Sequence, residues 1–256
     1  MSDLNTIWIS SPPRTGSMWV FNIVREIYRY LGFNVKPKSI PQNDSEMFDI
    51  YKSQALNEKD NDTKYVLKVH TILKPNLPKS KIITTLRDPR DLCISFKEFM
   101  KSDFKSSLKA ATTVKSFSNI YKNFKDSYIL TIKFENIEKN STNQILNIAK
   151  FLNEELNIKQ AEQISEKFSK NKVLDIINKN NKEMNDNLKK NLKIDEKKVV
   201  IISKENIRSF DINTGFQTGH ISLRKSGDWR NYFSKNEIKI LNDEFKFWLK
   251  EFDYEL

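Results

Sequence analysis

The chain is poor in the residues that brace, anchor or metallate a protein. Its 256 residues include one cysteine, Cys93, so no intrachain disulfide can form. A lone thiol fits a reducing compartment, and we expect a cytoplasmic protein. No run approaches the roughly 18 to 20 apolar residues that span a bilayer. The opening Met-Ser-Asp-Leu-Asn-Thr lacks signal-peptide character. There are two histidines and five glycines. No Cys/His spacing matches a zinc finger, and no K/R-G-F-G-F-type RNA-binding run occurs. The phosphate loop G-x-x-x-x-G-K-S/T is missing as well.

What is present is charge and aromatic bulk. Lysine plus arginine number 44 against 33 acidic residues, a net +11. That excess favours an anionic partner, although a lysine-rich composition alone gives the same balance. Hydrophobic residues make up 38% of the chain, with 17 Phe, 8 Tyr and 4 Trp, enough for a core. The length suits one large domain or two small ones.

Hydrophobic patterning predicts strands at 6–10, 33–36, 65–69, 81–86, 128–132 and 199–202. It predicts helices at 17–31, 48–56, 106–124, 143–152, 160–178 and 238–252, with a further helix opening at Asp88-Pro89. Gly32 is a natural stop for the first helix. Asp88 suits an N-cap and Pro89 the first helical position. The Lys/Asn-rich stretch 178–198 reads as a mobile, solvated insert rather than a domain boundary. Strands alternating with helices predict an α/β fold with a mostly parallel sheet, and ligands of such sheets sit at the carboxyl ends of the strands.

Four segments carry candidate chemistry, and each also has an ordinary structural reading. Trp8-Ile-Ser-Ser-Pro-Pro-Arg-Thr-Gly-Ser-Met-Trp19 is strand, tight loop and helix N-terminus, a place where free amides and the helix dipole favour an anion; it equally fits a plain strand–helix turn. Arg87-Asp-Pro-Arg-Asp91 opens a helix on which Ser95 lies two turns in, and arginine forks onto phosphate well; a surface Arg–Asp pair fits too. Lys68-Val-His70 places a cation and an imidazole on one strand face, suited to taking a proton while steadying negative charge; a lone histidine is as often structural. His70 and His220 both fall near candidate loops. Leu223-Arg-Lys-Ser-Gly-Asp-Trp-Arg-Asn-Tyr-Phe233 sets Gly227 among cations, beside Gly215 and Gly219, and also reads as a basic flexible loop.

In this order the segments resemble the sulfotransferases that use 3′-phosphoadenosine 5′-phosphosulfate (PAPS). Pro13-Arg-Thr-Gly-Ser-Met-Trp19 is similar to that family's P-K-S-G-T-T-W loop. Arg87 and Ser95 match its Arg and Ser eight apart, and Lys68-Val-His70 its K-T-H element. Arg224 to Phe233 resembles R-K-G-x-x-G-D-W-K-N-x-F, and Lys133-Phe-Glu-Asn-Ile137 its Y-E-D-L element. The resemblance spans 7–152 and 218–249, while 158–210 matches poorly.

It implies a P-loop-like three-layer α/β fold with a central, mostly parallel sheet flanked by helices, a single domain over 1–256, and no metal. It implies sulfuryl transfer from PAPS to a hydroxyl or amine of a small-molecule or carbohydrate acceptor, with no nucleic-acid or membrane partner; monomer and homodimer both stay open. By position, Arg14, Thr15, Gly16 and Ser17, with Met18, hold the 5′-phosphosulfate. Trp19 stacks on adenine and Phe134 lines the same pocket. Arg87 and Ser95 bind the 3′-phosphate with Arg224, Lys225, Ser226 and Gly227. His70 is the base, and Lys68 and Arg14 stabilise the moving charge. Arg14 stands where the family has lysine, Ser17-Met18 replaces Thr-Thr, and Phe134 lacks the tyrosine hydroxyl. Aligning on Arg-Lys leaves the 222–227 loop two residues short, the alignment we favour. Two other classes stay open at this point. A nucleotide kinase-like phosphotransferase would show magnesium-dependent ATP binding. A basic nucleic-acid-binding protein would show steeply salt-dependent binding to DNA.

Overall fold

The apolar runs pair into a sheet, and the amphipathic stretches between them cover it. The computed structural model describes residues 4–74, 77–125, 127–190, 192–203 and 206–256. In chain order come β1 (Thr6–Ser10), α1 (Ser17–Tyr30), β2 (Asn34–Lys36), α2 (Asp44–Ser53), β3 (Thr63–Val69) and β4 (Ser80–Leu86). Then α3 (Pro89–Met100), α4 (Phe104–Ala111) and α5 (Thr113–Tyr121) lead to β5 (Ile129–Lys133). They are followed by α6 (Phe134–Lys139), α7 (Ser141–Leu152), α8 (Ile158–Lys167) and α9 (Lys170–Lys189). An antiparallel pair, β6 (Val199–Ser203) and β7 (Asn206–Ser209), precedes α10 (Trp229–Tyr232) and α11 (Lys235–Glu251).

The first five strands form one parallel sheet in the order β2-β3-β1-β4-β5. This is the expected P-loop-like arrangement. Central β1 is wholly buried, with Ile7, Trp8 and Ile9 fully covered, as a parallel strand packed on both faces requires. After β1 the chain turns towards β2, and after β4 it turns towards β5. The carboxyl ends of β1 and β4 therefore flank the point where the winding reverses, where such sheets open a crevice for ligands.

Helix α1 buries Val20, Phe21, Ile23, Val24, Ile27 and Tyr28, each contributing about 1.5–3 kcal/mol. Its first turn is thereby held at the end of β1. Helix α3 is anchored through a second apolar cluster, in which Leu92, Cys93 and Ile94 meet Trp229, Leu241, Phe245 and Trp248. Asp88 caps α3 by accepting from the Arg90 amide.

The structure departs from the expectations in four places. The single helix expected at 106–124 is two, α4 and α5, which meet at Thr112. Helix α2 begins at Asp44 rather than 48, because Asn43 caps it by accepting from the Glu46 amide. The helix expected at 160–178 divides into α8 and α9. The stretch read as an insert from 178 is regular helix through Lys189. Val173 and Ile177 bury one side of α9, and Asn180 and Asn181 bond Asp211, Ser209 and Thr218. Among the described residues no helix is long and apolar enough to cross a membrane.

Candidate active site

The loop after β1 is stitched to both neighbouring strands. Ser11 donates its amide to Val69 O (3.3 Å), and its hydroxyl accepts from the Thr85 amide (3.0 Å). Thr15 is fully buried; its hydroxyl bonds Pro12 O (2.7 Å) and the Thr85 hydroxyl. The Thr15 side chain is thus a fastening, which leaves only its amide for a ligand. Arg14 and Gly16 both adopt positive φ, 68° and 92°. The first intrahelical bond of α1 runs from Val20 N to Gly16 O, so the Ser17, Met18 and Trp19 amides have no helical acceptor. Met18 packs against Gly215, and Trp19 is partly buried against the main core.

Across the crevice, Arg87 leaves the end of β4. Its guanidinium lies 4.2 Å over the Phe134 ring and donates through Nη1 to Arg14 O (3.2 Å). Phe134 also closes on Gly16, leaving no room for a β-carbon there. Arg87 is buried, its Nε has no partner, and no carboxylate lies within ion-pair distance among the described residues. A buried donor with this deficit calls for an anion. The neighbouring Asp88 amide donates to Glu135 (2.9 Å), whose other oxygen accepts from Tyr254 OH (3.0 Å).

Arg14 reaches along α3. Its Nε donates to Ser95 Oγ (3.0 Å), and Nη2 to Gly219 O (3.0 Å) and His220 O (3.3 Å). Phe99 takes Arg14 at 4.2 Å and Arg208 at 3.9 Å from its ring centre. Burial, then the charges of Arg87 and Arg208, lower the pKa of Arg14.

Strand β3 delivers Lys68 and His70 as the alternation predicts. Lys68 Nζ lies 2.9 Å from His70 Nε2, and His70 Nδ1 lies 2.8 Å from Ser11 O. A carbonyl only accepts, so Nδ1 carries the proton and Nε2 presents its lone pair. The cleft walls enclose His70 while its ring still meets solvent. The walls first, then the Lys68 charge, hold its pKa well below the usual histidine range. Burial lowers Lys68 to about 8, opposed by Asp44. Asp44 also accepts from the His70 amide (2.8 Å) and from the Thr71 hydroxyl (3.1 Å).

The C-terminal loop lies along α3 but is tied to carboxylates. Arg224 pairs with Glu98 (2.7 Å), Ser226 bonds Glu138, and the Gly227 and Trp229 amides donate to Asp91 (2.6 and 3.2 Å). Lys225 is exposed. The structure thus gathers Arg14, Gly16, Ser17, Lys68, His70, Arg87, Ser95 and Phe134 around one crevice, and holds the Arg224 guanidinium on Glu98. A cavity of about 920 Å³ beside β5 and α7, lined by Tyr128, Thr131, Asn147 and Phe151, contains none of these residues. Ser11 and Glu135 join the site from within the segments quoted for it, and Asp44, Phe99 and Arg208 from outside them. For Asp44 the readable signal was Asn43-x-x-Glu46, a helix-start pattern; for the others it lies in tertiary packing.

Solved structures share this fold. Retinol dehydratase in complex with androsterone and inactive cofactor PAP superposes with TM-score 0.61 and 19% identity, over 100% of this chain and 83% of that one. A mouse sulfotransferase complexed with PAP gives TM-score 0.61 and 18% identity, over 96% of this chain and 85% of that one. A sequence search of curated proteins gives no match. The Sulfotransferase domain family matches residues 4–253. The chain belongs to the sulfotransferase family.

Proposed function

We propose that the enzyme transfers a sulfuryl group from PAPS to a hydroxyl or amine of a small-molecule or carbohydrate acceptor. The observation that carries this reading is the pairing of two anion sites across the winding reversal, with the Lys68–His70 pair on the next strand. The Arg87 guanidinium, with its unpaired Nε and no carboxylate partner, and the free amides at the start of α1 fit the two charged ends of such a nucleotide. The PAP held by the solved structures of the same fold, and their androsterone or retinol, support the nucleotide and a small acceptor.

PAPS supplies the activated sulfuryl group. On the protein side, Arg87 and Ser95 hold the 3′-phosphate, with Lys225 and the 224–227 loop above them. The amides from Thr15 to Met18 hold the 5′ end beside Arg14, and Trp19 and Phe134 flank the adenine. His70 Nε2 receives the acceptor proton. Lys68 occupies that lone pair in the free enzyme and must turn from it; its ammonium then faces the oxygens of the transferring group. Positioning and electrostatics do the rest, as in phosphoryl transfer.

Calorimetry with PAP tests the reading. Binding is expected, with Arg87→Ala weakening it about tenfold or more, as loss of charged hydrogen bonds to phosphate requires. Absence of PAP binding, or an Arg87→Ala protein that binds like wild type, would sink it. A panel of phenols, alcohols, sugars and amines with PAPS then identifies the acceptor class.

A further inference from the structure

The second histidine of the chain belongs to the same cleft. His220 sits on the turn after Gly219, and its own carbonyl receives Arg14 Nη2. Its ring stacks on Phe99 at 5.5 Å and 29°, and meets Phe216 edge-on at 6.3 Å. A β-carbon at Gly219, where φ is +81°, would lie 3.2 Å from the Phe99 ring, so the turn approaches this closely only as glycine. Burial, then the charges of Arg14, Lys68, His70 and Arg208, push His220 well below its usual pKa. Both imidazoles are therefore neutral at pH 7.

Their tautomers are opposite. His70 Nδ1 faces a carbonyl, so its Nε2 is a lone pair. His220 Nδ1 lies 3.2 Å from the Gln217 backbone N–H, which only donates, so its Nε2 carries the proton. Among the described residues that Nε2–H has no protein acceptor, nor is it one of the closed-off unpaired atoms, so solvent reaches it, and the charges of Arg14, Lys68 and His70 act on the ring. One histidine thus offers an acceptor and the other a donor. A hydroxyl answers both, since it donates once and accepts at its oxygen.

We propose that His220 binds the acceptor, donating its Nε2–H to the same oxygen whose proton passes to His70. This rests on the sulfotransferase reading above. In the step, the acceptor O–H bond breaks and its proton goes to His70 Nε2. The oxygen forms the new bond to sulfur, and the bond from sulfur to the 5′-phosphate oxygen breaks with its electron pair leaving on PAP. His220 keeps its proton throughout and fixes the direction of the oxygen lone pair.

Two measurements on the full chain test this. Long-range proton–nitrogen NMR of the PAP complex, with its two histidine spin systems assigned through His70→Gln and His220→Gln, should show His220 as the Nε2–H tautomer and His70 as the Nδ1–H tautomer. PAP release from PAPS, measured with water and with the probe acceptors of the panel above, should fall about 10- to 100-fold in His220→Ala, as for loss of a preorganised donor, with PAP affinity within about twofold of wild type. His220→Gln, whose Nε2 also carries N–H, should recover most of that loss. His220 found as the Nδ1–H tautomer would overturn the proposal. So would wild-type turnover in His220→Ala, or a PAP-binding His220→Gln as slow as the alanine variant. If His220→Ala does not fold, the NMR result and the glutamine variant decide. Failure of the wild type to bind PAP sinks the underlying reading instead.

Discussion

Replacing Gly16 by alanine should damage stability and nucleotide binding together. Gly16 is the residue before α1, at φ 92° and ψ 7°. An alanine there pays left-handed strain of about 1–2 kcal/mol. Its β-carbon would also stand 2.9 Å from Phe134 Cδ2 and 3.4 Å from Ile137 Cδ1. The Phe134 ring is backed by the Arg87 guanidinium at 4.2 Å and cannot yield without moving it. Forced repacking of this kind adds about 1–3 kcal/mol, for a total of about 2–5 kcal/mol. Unfolding entropy for a chain of this length is about 0.5 kcal/mol per kelvin, so the melting temperature should fall by about 4–9 °C. Because Arg87 is displaced, PAP affinity should fall about tenfold or more. Scanning calorimetry and titration calorimetry read the two effects. Adding Phe134→Leu removes the clash but not the backbone strain, and should restore about half the lost stability. A melting temperature within about 2 °C of wild type would refute the steric argument. A clear fall in stability with unchanged PAP binding would refute the coupling of Gly16 to Arg87.

Two further perturbations address charge. Lys68 is lowered to about 8 and His70 is held well below its usual range, so kcat/KM should stay level through neutral pH and fall as pH rises through about 8, where the Lys68 ammonium is lost. In Lys68→Arg the guanidinium keeps its charge to about pH 12, and that basic limb should disappear from the pH–rate profile; an unchanged limb removes Lys68 as its source. Arg90 is almost fully buried and forks onto Asp88, with Nη2–Oδ2 at 2.8 Å. Arg90→Met leaves Asp88 uncompensated at a cost of about 3 kcal/mol, so a thermal melt should drop by about 6 °C; a drop under about 2 °C would show that the pair contributes little net stability.

The parts of the fold legible in the sequence are those where apolar period and punctuation agree. β1 is an apolar run closed by Pro12 and Pro13, and β4 one closed by Arg87 and Pro89, so both loops of the crevice were readable with their helices. Helix α9 was not readable beyond 178, because few of its residues touch the core. Only Val173 and Ile177 are buried in it, and the polar remainder carries no period to detect. The Lys68–His70 contact followed from strand alternation alone. By contrast, the setting of Arg14 depends on Ser95, Gly219 and His220, which the chain supplies from distant segments. No local pattern encodes that convergence. Thr15 shows the opposite limit: a hydroxyl beside a phosphate-binding glycine reads as a ligand, yet it is spent on fastening the loop to β4.

The arginine at position 14 becomes intelligible from α3. Asp91, Ser95 and Glu98 recur along one helix face at the spacing that aligns side chains, and each receives a different segment. Asp91 takes the Gly227 amide, Ser95 takes Arg14, and Glu98 takes Arg224. From Asp91 to Glu98 the helix rises about 10 Å, a span that three extended residues cover. The 224–227 loop therefore reaches both ends and puts the Arg224 charge on Glu98. The 217–220 turn that precedes it must be held by something else. A lysine ammonium carries its three N–H donors on one nitrogen. A guanidinium has donors on Nε and Nη2 that bond Ser95 on one side and the Gly219 and His220 carbonyls on the other. Arg14 thus ties the turn carrying His220 to the helix carrying Ser95. The Arg14 tie and the Arg224–Glu98 pair are two sides of one arrangement.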